Sequence, residues 1–99
     1  MGDSVEDVRQ AIAEIIAARR QAAQQSPYDW KVCVGAVSAA DATFRSISMT
    51  GTPAEFLRTV INQLAALRDS YDDPDGEYTN GCSDIGSVVV ALEGLERTA

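Results

Sequence analysis

Hydrophobic positions recur at helical spacing in the first segment, where Val5, Val8, Ile12, Ile15 and Ile16 fall on one face and Ala18, Ala22 and Ala23 extend it. The pattern predicts a helix from Ser4 to about Gln25. Ser4 is a natural N-cap, and Asp7 three residues on approximates a capping box. Asp3, Glu6 and Asp7 open the helix and Arg19 and Arg20 close it, as the macrodipole favours. Ser26-Pro27 stops it, because the residue before proline is pushed out of the helical region.

The next pattern is different. Trp30 to Val37 is rich in β-branched and aromatic residues, with Trp30, Val32, Val34 and Ala36 on one side of an alternating run. Thr43 to Met49 also alternates, with Phe44 and Ile47 on opposite faces, and Ser38 to Ala42 supplies a connection with Asp41 as turn residue. The expectation is a β-hairpin. A hairpin alone is marginal in water, so it must pack on helices or pair with a second copy.

Thr52-Pro53-Ala54-Glu55 is the clearest local signal. Thr52 fits as N-cap, Pro53 as the first helical residue and Glu55 as the reciprocal partner. Phe56, Leu57, Val60, Ile61, Leu64 and Leu67 then form one apolar face, predicting a helix to about Ser70. The last apolar set, Ile85, Val88, Val89, Leu92 and Leu95, suits a helix capped by Ser83 and ended by Gly94. Val88 to Val90 would also suit a buried strand, and the helix is the favoured reading. The expected fold is therefore α+β, a single domain over residues 1–99 ordered α-β-β-α-α, with two main amphipathic helices packed on a hairpin.

Between the last two segments lies a stretch with a chemistry of its own. Residues 69–84 carry six carboxylates, two tyrosines and several turn-formers. A connection this long in a small domain is usually functional or disordered. Asp73, Asp75 and Gly76 match the third, fifth and sixth positions of an EF-hand loop. Tyr71 then falls at the first ligand position and Cys82 at the twelfth, where a bidentate Glu is required, so the strongest ligands are missing.

Charge and composition narrow the function classes. Eight Lys and Arg against fifteen Asp and Glu give a net charge of −7, the reverse of the basic footprint that nucleic-acid binding needs. No run of about 18 apolar residues predicts a membrane span, and the acidic N-terminus is unlike a signal peptide. The expectation is a cytoplasmic protein with no nucleic-acid or membrane partner. Arginine outnumbers lysine seven to one, a codon-usage association with GC-rich genomes such as those of actinobacteria and their phages.

Catalytic candidates are sparse. The chain has no histidine and one lysine, so serine or cysteine nucleophiles lack their usual base. No phosphate-binding glycine motif or zinc ligand set is present. The reading is non-enzymatic, with no cofactor and no metal. Cys33, inside Val32-Cys33-Val34, reads as a small buried hydrophobe. A disulfide with Cys82 is the less favoured alternative in a cytosolic chain.

Two functional readings follow. The leading one is a non-catalytic protein-binding module, an inhibitor, adaptor or assembly factor. Its contact residues would be Tyr71, Asp72, Asp73, Asp75, Glu77 and Tyr78, with acids steering toward a basic partner and tyrosines anchoring it. The alternative is a small-molecule or nucleotide-sequestering protein with its pocket at a dimer interface, using Tyr28, Trp30 and Arg45 or Arg58. The combined apolar faces exceed what one small layer covers, which leads to the expectation of a homodimer.

Overall fold

In a computed structural model the chain is described over residues 4–25, 30–70 and 79–98, with only the backbone described at 30, 32 and 79–83. The described residues form four helices and no strand: α1 (Val5–Gln24), α2 (Trp30–Arg45), α3 (Pro53–Ser70) and α4 (Thr79–Thr98). The α+β expectation is thereby overturned, because the hairpin it needed is a helix.

The reason lies in which apolar residues reach the core. In α2 the buried positions are Cys33, Ala36, Val37, Ala40 and Phe44, spaced at the helical period and not the alternating one. Strand preference is a weak, context-dependent term that packing overrides. The region read as a hairpin turn holds Ala39, Ala40 and Ala42, and alanine has the highest helix propensity. Asp41, assigned there as the turn residue, instead accepts from Arg45 Nε one helical turn on, at 3.0 Å. Of the second expected strand, Thr43 to Arg45 end α2 and Ile47 to Met49 lie in the connection to α3.

The other helices follow their local signals more closely. At α1, Asp7 N–H donates to Ser4 Oγ at 3.1 Å, which satisfies one of the unpaired N–H groups of the first turn. The capping box at α3 is complete and reciprocal. Glu55 N–H donates to Thr52 Oγ1 at 3.1 Å, and Thr52 N–H donates to Glu55 Oε1 at 3.3 Å. Gly51 precedes it with φ of +80°, a left-handed conformation that L side chains rarely adopt. The last element is a helix, as favoured, but it begins at Thr79 and runs through Gly94 to Thr98.

Chain direction is fixed by contacts between helices. Arg58, near the start of α3, pairs with Glu96 near the end of α4. A Cβ on Gly86, near the start of α4, would touch Arg68 at the end of α3. Those two helices are antiparallel. Arg20 Nη2 donates to Ser38 Oγ at 2.7 Å, while Ala13 and Arg45 line one depression, so α1 and α2 are antiparallel as well. Arg19 late in α1 meets Asp84 early in α4. The result is an up-down-up-down arrangement in which α4 also packs closely on α2.

All four helices feed one core, with Val8, Ile12, Phe44, Phe56, Leu57, Leu64, Ile85 and Leu92 among its fully buried side chains. The only large hydrophobics exposed among the described residues are Met49 and Val90. Among the described residues the apolar faces of the helices are therefore largely covered within the bundle.

Gly35 and Gly94 sit inside α2 and α4 with nothing within 4 Å of an added Cβ. Alanine at each should favour the helix by about 0.5–1 kcal/mol. The double variant G35A/G94A is expected to melt roughly 5–15 °C higher in a calorimetric scan. An unchanged or lower melting temperature would show that residue 35 is not in a helix interior.

Candidate functional site

The sequence-derived partner surface divides between described and undescribed residues. Tyr71, Asp72, Asp73, Asp75, Glu77 and Tyr78 lie outside the described residues, as does Tyr28. What the structure gives is their anchor points. Asp69 and Ser70 belong to α3 and residues 79–84 to α4, so the connection is residues 71–78, half the length read from the sequence. It contains four carboxylates and no basic residue.

Its position follows from the helix directions. The Arg19–Asp84 pair sets the last turns of α1 beside the first turns of α4. With antiparallel neighbours, the end of α1, the start of α2, the end of α3 and the start of α4 all lie at one end of the bundle. The connections 26–29 and 71–78 both depart from that end. Between them, and at the first residue of α2, fall all three tyrosines and the single tryptophan of the chain, Tyr28, Trp30, Tyr71 and Tyr78.

The alternative ligand set is not gathered in this way. Trp30 starts α2 and Arg45 ends it, so they are separated by about 22 Å of helix. Arg45 is engaged with Asp41 at 3.0 Å. Arg58 donates from Nε to Glu96 Oε2 at 2.8 Å and from Nη2 to Glu96 Oε1, a bidentate pair tying α3 to α4.

Five arginines are matched to carboxylates: Arg9 to Glu6, Arg19 to Asp84, Arg45 to Asp41, Arg58 to Glu96 and Arg68 to Asp69. Internal pairing therefore consumes most of the positive charge, and much of the surplus negative charge falls on the 71–78 connection.

One residue of the acidic stretch has a role the sequence reading missed. Asp84 is 4% exposed, the one buried polar or charged residue among those described. Its Oδ1 accepts from Arg19 Nε at 2.9 Å and lies 2.5 Å from Arg19 Nη2. Oδ2 is buried without a hydrogen-bond partner. Arg19 is accordingly an interhelical tie and not a cap for α1, whose last turn holds no base. The available signal was register: Asp84 lies next to Ile85 and one turn before Val88, on the apolar side of α4.

The described residues include the lining of two surface depressions. One of about 70 Å³ lies between α1 and α2, lined by Ala13, Ile16, Ala17, Arg20, Asp41 and Arg45. The other, about 350 Å³, is a groove between α1 and α4 lined by Ile15, Ala18, Arg19, Ala22, Ser87 and Ala91. Among the described residues no group of three or more His, Cys, Asp or Glu is placed to hold a metal ion. No described helix is long and apolar enough to cross a membrane. Cys33 is buried in the core, as expected of a small hydrophobe.

Comparison with known proteins gives no match to any family, to any curated protein or to any solved structure.

Proposed function

We propose that this protein is a non-catalytic binding module, an inhibitor, adaptor or assembly factor that engages a basic protein partner through the end of the bundle where residues 26–30 and 71–78 emerge. The observation that supports this is that the helix ends flanking residues 26–29 and 71–78 lie together at one end of the bundle, and the sequence of those two segments, with Trp30 at the start of α2, holds every tyrosine and the tryptophan. Tyrosine and tryptophan combine large contact area with few rotatable bonds, and they are enriched at interface cores. The four carboxylates of 71–78 supply long-range attraction toward a positively charged surface. A cytoplasmic setting belongs to the same proposal.

The test is charge removal without loss of fold. The variant D72N/D73N/D75N should keep the helical circular dichroism spectrum and bind the partner about tenfold or more weakly at low salt. The difference should shrink near 0.5 M salt, where the Debye length is only about 4 Å. Equal affinity of variant and wild type at low salt would remove this segment from the interface.

A further inference from the structure

We infer that α4 has a second state in which residues 79–84 leave the bundle while Ile85 to Thr98 stay docked, and that the Arg19–Asp84 pair is the latch between the two states. This is a property of the free protein and does not rest on the partner-binding reading of the acidic end.

The first turns of α4 are weak by sequence. They read Thr79, Asn80, Gly81, Cys82, Ser83 and Asp84. None of these is a strong helix former, and glycine ranks below every residue but proline. No acid lies in the first turn, where a carboxylate would favour the unpaired N–H groups. The starts of α1 and α3 differ. Each has an acid in its first turn and a capping hydrogen bond accepted by Ser4 or Thr52.

The rest of α4 is held independently of those turns. Its first large apolar residue is Ile85, which with Val88, Val89 and Leu92 is buried in the common core. Farther along, Glu96 takes the bidentate pair from Arg58. At the near end the tie is Asp84, whose Oδ1 accepts from Arg19 Nε at 2.9 Å.

That tie is balanced between opposing terms. The Asp84 side chain is 6% exposed, and its Oδ2 is buried with no partner. A buried oxygen without a hydrogen bond costs hydration energy that opening returns. Arg19 is 35% exposed and lines the α1–α4 groove, so it stays hydrated when Asp84 departs. The closed state gains the ion pair and loses the hydration of Oδ2, and the open state reverses both. Terms of opposite sign leave a small difference, the condition for a populated minor state. Opening extends the α3–α4 connection from residues 71–78 to 71–84 and adds Asp84 to its four carboxylates.

Native-state hydrogen exchange on the full chain, read amide by amide by NMR, tests the inference. Each helical N–H donates four residues back, so release of 79–84 frees the amides of 83–88 and leaves 90–95 bonded. Protection factors at 83–88 are expected to lie about a hundredfold or more below those at 90–95. Low urea should speed exchange at 90–95 only, because local opening exposes little surface. Arg19→Met should speed exchange at 83–88 about tenfold or more by stranding Asp84 in the closed state. R19M/D84L should bring it back to the wild-type rate or below. Equal protection and equal urea dependence along 83–95 would show that α4 opens only with the whole domain, and would overturn the inference. So would exchange at 83–88 that R19M leaves unchanged, or that R19M/D84L leaves as fast as in R19M.

Discussion

Phe44→Ala is expected to destabilise the domain by about 3–5 kcal/mol, the usual cost of deleting a buried aromatic ring. Phe44 is 2% exposed at the last turn of α2 and belongs to the single core shared by all four helices. The ring removes apolar area from water, and the tight packing around it cannot collapse fully into the space its loss would leave. Domains of this size have total stabilities of about 5–15 kcal/mol, so the substitution removes a large fraction of the margin. Urea titration followed by circular dichroism reads it directly. With a slope of about 1–3 kcal/mol per molar, the midpoint should fall by at least about 1 M. A shift of a few tenths of a molar would place Phe44 at the surface and contradict the packing of α2.

The second large effect concerns Arg19. Arg19→Met should cost about 2–3 kcal/mol, because it strips the partner from a carboxylate that is almost wholly out of water. The Arg19 side chain is itself 35% exposed, so the loss falls below the 3–5 kcal/mol typical of fully buried pairs. Asp84 Oδ2 already lacks a partner, and after the substitution neither oxygen would retain Arg19. The companion variant R19M/D84L should recover to within about 1 kcal/mol of wild type, since an apolar pair of similar volume removes the stranded charge together with its partner. Recovery separates a desolvation cost from simple loss of side-chain packing. If R19M and R19M/D84L are equally unstable, the stem of Arg19 and not its charge is what α4 needs.

How much of this was readable from the chain depends on the kind of signal each segment carries. Both helices with an explicit cap were legible to within a residue or so, because Ser4 and Thr52 with Glu55 mark starts by hydrogen bonds that form locally. In α2 the competing signals point opposite ways. Trp30, Val32 and Val34 favour a strand by propensity, whereas Cys33, Ala36, Val37, Ala40 and Phe44 form a helical stripe made largely of small residues. A stripe of alanine and cysteine is faint beside a valine alternation, yet it is the one that fits against three other helices.

The start of α4 was missed for a related reason. Thr79, Asn80 and Gly81 are poor helix formers, so their helical state depends on packing that begins at Asp84 and Ile85. Asp84 itself was hidden by its neighbours: it is one of six carboxylates in 69–84, and the sequence does not distinguish it from Asp69, which is exposed, whereas Asp84 is buried on Arg19. The convergence of the helix ends that flank the two aromatic-bearing connections was not legible at all, because it requires the directions of four helices. Once α2 is a helix, the helix ends that flank residues 26–29 and those that flank residues 71–78 fall at the same end of the bundle.

Native mass spectrometry of the protein purified gently from its own host tests the binding account most directly. The account predicts a co-purifying protein of basic character, held at defined stoichiometry and lost when the same preparation is made with D72N/D73N/D75N. A bound small molecule in place of a protein, or a protein retained undiminished by the triple variant, would contradict it.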